Sequence, residues 1–291
     1  MDSVSPTFSL NIGLTEAGDS GSAYHFLNDP SDPLQRKNWA ERQSVVDIRA
    51  SCLGVLHGEL DPQDPSNPVP CTLLLLEFRF DPRKPGRRIT WSQIKLKFSS
   101  MEVGQPDPEV TRIAPLGRLT FAPTSKEQST TTGTEVSAGL GTLCPIDVGS
   151  GFTWSRSVNL TIKDTASVVG SIDTIGRIWG KKNGASWTLD ENKMSKSGVP
   201  SLLKAAVLLL RESDDGPFKC EFSITAKADW KTDLQSLFGK TPPDDPVIFD
   251  PSLEPIGSLR LYDQAAIGAI DLDSLSDITQ STEFGGVTKI K

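Results

Sequence analysis

Phe218–Ala228, FKCEFSITAKA, decides the fold class. Phe218, Cys220, Phe222, Ile224, Ala226 and Ala228 fall on every second residue, with Lys219, Glu221, Ser223, Thr225 and Lys227 between them. Successive side chains of a strand point to opposite faces, so this pattern describes a strand with one buried and one wet face. Just before it, Leu202–Arg211 is a nearly continuous apolar run. Its length suits a buried strand, and Ser213-Asp214-Asp215-Gly216 reads as the hairpin turn joining the two.

A second unit has the same outline. Cys71–Phe80, CTLLLLEFRF, is a buried strand, Asp81–Gly86, DPRKPG, a turn, and Arg87–Phe98 a second strand. In that strand Ile89 and Trp91 are in one phase and Ile94, Leu96 and Phe98 in the other, which predicts a bulge near Ser92 and Gln93. Further strands fit Val45–Leu60, Gly117–Ala122, Ser157–Lys163, Ser167–Ile178 and Ala185–Leu189. The 21 prolines and 24 glycines fall mostly between these runs. Many short strands with such punctuation predict an all-β, antiparallel β-sandwich with one or two short helices and long loops. The helix candidates are Asn38–Ser44 and Asp229–Phe238.

The sandwich is expected over residues 36–271, with a break between two packed halves near 123–150. Residues 1–35 are expected to be irregular and the tail from Leu272 loose. Residues 123–142, PTSKEQSTTTGTEVSAGLGT, read as a long polar loop. The other reading is a membrane-inserting hairpin of a pore-forming protein. It asks for sustained apolar alternation, which this segment lacks.

Composition narrows the function. The chain has 291 residues, 36% hydrophobic and 23% charged, with a net charge of −7, which suits a globular protein able to bury a core without staples. An acidic surface disfavours wrapping nucleic acid. No apolar run approaches the ~20 residues of a membrane-spanning helix. The start, MDSVSPTFSLNIG, lacks the charged and apolar regions of a signal peptide. The expected setting is cytoplasmic, with no nucleic acid and no membrane among the partners. The partner is then a small molecule or a protein, and homo-oligomerisation stays open. Cys52, Cys71, Cys144 and Cys220 are irregularly spaced and contain no CxxC, so free thiols are expected. No His/Cys cluster has zinc spacing, and nucleotide and flavin fingerprints are missing, so neither metal nor cofactor is expected.

Lys193–Ser197, KMSKS, is similar to the signature of class I aminoacyl-tRNA synthetases, whose loop lysines stabilise the phosphates of ATP. That family also needs a HIGH-type motif on a βαβ nucleotide fold. Here His25 is followed by Phe-Leu-Asn and His57 by Gly-Glu-Leu. Without its context the pentapeptide reads as a solvated loop. Gly176–Lys182, GRIWGKK, has three residues between its glycines where a phosphate loop needs four. The stretch GRIWGKKNGASWTL reads instead as a hairpin turning at Asn183-Gly184 and flanked by Trp179 and Trp187. Lys181 and Lys182 would face outward. These four residues, with Trp91 and Trp154, are the candidate ligand-binding set; the plainer reading is tryptophans closing the end of a core.

For catalysis, two histidines leave few options. His57 and Glu59 lie two apart in LGVLHGEL, on one side of a strand, and are the best candidate general-base pair. The plainer reading is a buried histidine held by hydrogen bonds. Asp244, Asp245 and Asp250 lack the EF-hand spacing. They read as caps on an extended segment anchored by Val247 and Phe249.

The run GRIWGKKNGASWTLDENKMSKSGVPSLLKAAVLLLRE, with FKCEFSITAKADW and DDPVIFDP, resembles a filamentous-fungal protein family of unknown function, over the C-terminal half. The resemblance implies a eukaryotic intracellular setting and carries over no activity and no residue role. Two functions are therefore carried. One is a non-enzymatic binding or interaction protein. The other is a cofactor-independent cyclase or isomerase of fungal secondary metabolism, acting through a shaped apolar pocket.

Overall fold

The computed structural model describes residues 27–42, 46–61, 68–84, 86–134, 154–229, 244–281 and 287–289, without side-chain detail over 126–163, 281 and 287–289. Two antiparallel sheets face each other and neither closes into a barrel. The larger carries β1 (Asn38–Arg42), β2 (Val46–Glu59), β3 (Pro70–Pro82), β5 (Glu109–Ala114), β9 (Leu202–Leu210), β12 (Ile256–Gly257), β13 (Asp277–Ser281) and β14 (Val287–Lys289). The smaller runs in the order β11 (Val247–Phe249), β10 (Phe218–Ala228), β4 (Ile89–Ser100), β8 (Gly184–Asp190), β7 (Trp154–Asp173) and β6 (Gly117–Thr134).

The alternation of Phe218–Ala228 is realised in β10. Phe218 and Cys220 are buried in the core between the sheets, and Lys219, Glu221 and Ser223 lie on the wetter side. The continuous apolar runs have a different cause. β3 and β9 are covered on both faces. Leu74, Leu76, Phe78, Ala205 and Val207 join the core between the sheets. Leu73, Leu75, Ala206 and Leu208 instead join a second cluster under Leu259, Ile267 and Leu272. A strand buried on both faces has no wet phase to show. The covering segment, the 3-10 turns Ser258–Leu261 and Gln264–Ala269, lies so close to β2 that a Cβ on Gly58 would stand 2.0 Å from the Gln264 carbonyl oxygen.

Both expected hairpins are corrected. β3 pairs with β9 and β4 with β10, all antiparallel. The turns at Asp81–Gly86 and Ser213–Gly216 therefore carry the chain from one sheet to the other. A turn sequence fixes a reversal of direction but not whether the next strand bonds to the last or faces it. The bulge in β4 lies slightly earlier than expected. The register against β10 shifts between Lys227 and Ala228, opposite Trp91 and Ile89. Ser92, Ile94, Leu96 and Phe98 are consequently buried together.

Other expectations change as well. Asn38–Arg42 is strand β1 rather than a helix, because it pairs with Ile48–Ser51 of β2. Within the tail, Leu272–Leu275 forms one helical turn, and β13 pairs with β9. The helix expected at Asp229–Phe238 lies, beyond Asp229, outside the described residues. Val247 and Phe249 are fully buried anchors, as expected. Cys52, Cys71 and Cys220 are buried free thiols. No helix among the described residues is long and apolar enough to cross a membrane.

The largest correction is at 123–142. Residues up to Thr134 continue β6, and β7 is one strand where two were expected. Their register runs without a break from Thr124↔Asp164 to Thr134↔Trp154, eleven successive pairs. β8 pairs with β7 only from Ser167 inward. Beyond that point the two strands form an arm with no third strand among the described residues.

Candidate functional site

One end of the sandwich gathers the chemistry. β3 ends there, β4 and β9 begin there, and β8 runs out into the KMSKS segment. The strand ends leave a cleft of about 570 Å³. Its apolar side is built from Val46, Phe80, Ile89 and Val199, and its basic side from Arg83, Lys84, Arg87, Arg88 and Lys196. No carboxylate lines it. Acids behind the wall hold three of the cations. Arg83 Nε lies 2.7 Å from Asp47, Arg88 Nε 2.8 Å from Glu191, and Arg87 Nη1 3.8 Å from Asp229. That last distance is too long for a hydrogen bond, and Arg87 Nη1 is buried without an acceptor. Lys84 and Lys196 make no ion pair among the described residues.

The KMSKS segment is therefore more than a solvated loop. Lys196, at φ 52°, and Gly198, at φ 74°, shape the turn that forms one wall. Gly198 N donates to Glu191, the partner of Arg88 (3.3 Å). Four residues before Lys196, Asn192 is fully buried. Its Nδ2 donates to the Ala122 carbonyl (2.8 Å), to Thr124 Oγ1 (3.0 Å) and to the Asp164 carbonyl (3.1 Å). The Asp164 carboxylate accepts from the amides of Lys193 and Met194. This turn thus clasps the arm where it leaves the sandwich, at the bulge of β6 between Phe121 and Thr124.

The residues proposed from sequence do not converge. His57 is buried in β2; Nδ1 lies 2.8 Å from Thr72 Oγ1 and Nε2 3.3 Å from Gln35 Nε2. Phe218 packs edge-on against its ring. Burial, with a smaller push from Arg211, lowers its pKa to about 3. Such an imidazole stays neutral near pH 7 and is a poor proton acceptor there. Neither ring nitrogen faces Glu59, and His57 does not line the cleft.

The aromatic set is scattered too. Trp187 is fully buried, and its indole N–H donates to the Pro115 carbonyl (3.0 Å). Trp179 is 81% exposed in the β7–β8 connection. Asn183 is buried and ties that loop through Ile175, and Gly184 opens β8, so Asn183-Gly184 is not the turn of a hairpin. Lys181 is held by Glu212 (2.9 Å) and Glu109 (3.5 Å), while Lys182 is exposed. Trp91 carries the Lys227 ammonium 5.0 Å above its ring. Trp154 begins β7, and its side chain lies outside the described residues.

The cations of the cleft were missed because DPRKPG was read as a turn and Arg87-Arg88 as the start of a strand. Four positive charges within Arg83–Arg88 are a charge run that marks a candidate anion site. Among the described residues no group of three or more metal-ligating side chains is present.

Neither a family model nor a curated protein matches the chain. Among solved structures it is similar to the Clostridium perfringens NetB toxin in the membrane inserted form, at 6% identity and a TM-score of 0.27, over 87% of this chain and 98% of that one. It is also similar to Clostridium perfringens delta-toxin, at 9% identity and a TM-score of 0.27, over 86% and 99%. At that TM-score neither likeness bears on fold or function.

Proposed function

We propose that the chain is a non-enzymatic binding protein whose cleft takes an amphipathic anion, an apolar chain carrying a phosphate or carboxylate head. One observation carries this reading. In a chain of net charge −7, five cations and no carboxylate face one cleft with an apolar floor. Its volume is within the range of small-molecule sites. Lys84 and Lys196 offer charge that no acid among the described residues neutralises. The head would sit among these groups and the chain against Phe80, Ile89 and Val199. The buried free thiols fit a reducing, cytoplasmic setting.

The cyclase or isomerase reading has less support, since His57 is neutral, hydrogen-bonded and away from the cleft.

Calorimetric titration with dodecyl phosphate, dodecanol and inorganic phosphate tests the proposal. Dodecyl phosphate should bind about tenfold or more tightly than either fragment, a difference of about 1.4 kcal/mol. The double variant Lys84→Glu/Lys196→Glu should lose that advantage while keeping its melting temperature. Equal affinity for all three ligands, or a variant that binds like the parent, would sink the reading.

A further inference from the structure

The cleft carries a charge balance that can be counted. Arg83, Lys84, Arg87, Arg88 and Lys196 line its wall, and three carboxylates stand behind it. The side chains of Asp47, Glu191 and Asp229 are no more than 7% exposed, against 25% to 46% for their partners Arg83, Arg88 and Arg87. The acids thus face inward and the cations outward. Arg49 also touches Asp47 (3.4 Å), but it has Glu41 at 3.3 Å. Among the described residues each of the three arginines therefore has one acid, while Lys84 and Lys196 make no ion pair. The wall is left with an excess of two positive charges.

Hydrogen-bonding capacity gives a second observation. Guanidinium and ammonium groups donate and never accept. Arg88 meets Glu191 through Nε, and its two Nη groups make no bond among the described residues. The other polar side chains on the lining are Ser197 and Ser201, whose hydroxyls donate to the carbonyls of Gly198 (3.4 Å) and Thr279 (3.2 Å). No carboxylate on the lining could accept a proton from a bound head. Such a wall suits a head that only accepts.

Common heads differ in charge. A carboxylate, a sulfate ester or a phosphodiester carries one negative charge. A phosphate monoester carries about −1.5 to −2 at pH 7, because its second pKa is about 6, and it presents three acceptor oxygens. Arginine forks bind such oxygens in pairs. The charge of the monoester is the one that matches the excess on the wall.

Taking the cleft as the binding site proposed above, we infer that it selects a dianionic head, a phosphate monoester on an apolar chain, over singly charged heads on the same chain. Lys84 and Lys196 set the preference, since they supply the two charges that no acid behind the wall holds. A head that loses its second charge leaves one lysine uncompensated. The titratable side chains on the lining are all lysine or arginine, which keep their charge between pH 8 and 5. Asp47, Glu191 and Asp229 are held behind the wall by these same arginines. Over that range the change of charge in the cleft lies on the head.

The test compares dodecyl phosphate with dodecyl sulfate, which has the same chain and the same tetrahedral head with one charge fewer. Both are titrated into the full chain below their micelle concentrations, with near-UV circular dichroism showing that the fold is kept. At pH 7.5 the phosphate should bind about tenfold more tightly than the sulfate. At pH 5.0, where the phosphate has taken up its second proton, the ratio should fall towards one. Lys84→Met and Lys196→Met should each cut the ratio at pH 7.5 about threefold, with the melting temperature unchanged. Equal affinities at pH 7.5 would overturn the dianion preference and leave the cleft standing as a binding site. Binding of neither amphiphile would remove the binding site itself, and the preference with it. A tenfold ratio that persists at pH 5.0, or in both lysine variants, would also refute the preference, because the cleft would then be reading something other than the second charge.

Discussion

β6 and β7 run through two environments, and the contrast separates what pairing does from what packing does. Inside the sandwich, Gly117–Phe121 bonds to Ala166–Gly170, β8 bonds the far side of β7, and Phe121, Ala166 and Val168 are buried. Past Asp164 the ladder continues for eleven pairs, but with no third strand among the described residues. Backbone hydrogen bonds are present in both halves. Each contributes only ~1 kcal/mol net, because water competes for the same groups. Burying one large apolar side chain contributes ~1.5–3 kcal/mol. Among the residues whose side chains are described, the packing contribution lies in the inner half.

The largest break of that contrast is Trp187→Ala. It removes a fully buried indole on β8 and leaves the Pro115 carbonyl without its donor. The expected loss is ~3–5 kcal/mol by urea unfolding, whereas Val158→Ala in the arm should shift stability in solution by ~0.5 kcal/mol or less. A loss at Val158 as large as at Trp187 would show that the arm is packed like the body.

His57 gives the next effect, through pH. Its folded pKa of about 3 lies below the ordinary 6.5. The unfolded chain takes up a proton near pH 6.5 and the folded one does not. Stability is thus fully present above about pH 6.5 and falls as pH drops towards 3, by ~1.4 kcal/mol per unit. His57→Gln should flatten this slope between pH 6.5 and 4.5 in denaturant titrations. An unchanged slope would place the acid sensitivity elsewhere.

The smallest and most local effect is at Asn192. Asn192→Ala removes the clasp on Ala122, Thr124 and Asp164 and should cost ~1–3 kcal/mol, the usual penalty for orphaned buried groups. Amide exchange in residues 122–134 should rise, while the β3–β9 ladder stays protected. Equal acceleration in both regions would mean that the clasp serves the whole sandwich.

Legibility in the sequence followed the same division. β10 and the inner parts of β2, β3 and β9 were readable because burial imposes a period of two, or a continuous run, on residue type. The arm was not readable as strand. Ser129–Thr134, STTTGT, contains no apolar residue at all, so no alternation marks it, and only Val158, Leu160 and Ile162 gave a hint. The crossing of chain between sheets was invisible because Ser213–Gly216 would reverse the chain equally well within one sheet. β1 and β13 are strands through their partners, Ile48–Ser51 and Leu202–Lys204, which local propensity does not register. The cleft shared this fate, since Arg83–Arg88 and Lys196 are more than a hundred residues apart and meet only after folding.

The turn following β8 touches both the cleft and the base of the arm. Lys196 and Gly198 wall the cleft, while Asn192 and the amides of Lys193 and Met194 hold the arm's base. A ligand that grips the cleft more tightly in one arm position shifts the arm towards that position. By thermodynamic reciprocity, moving the arm changes the ligand's affinity by the same factor. Six residues, Asn192–Ser197, would then act as an energetic hinge, and dodecyl phosphate would alter amide exchange at the base of an arm it never touches.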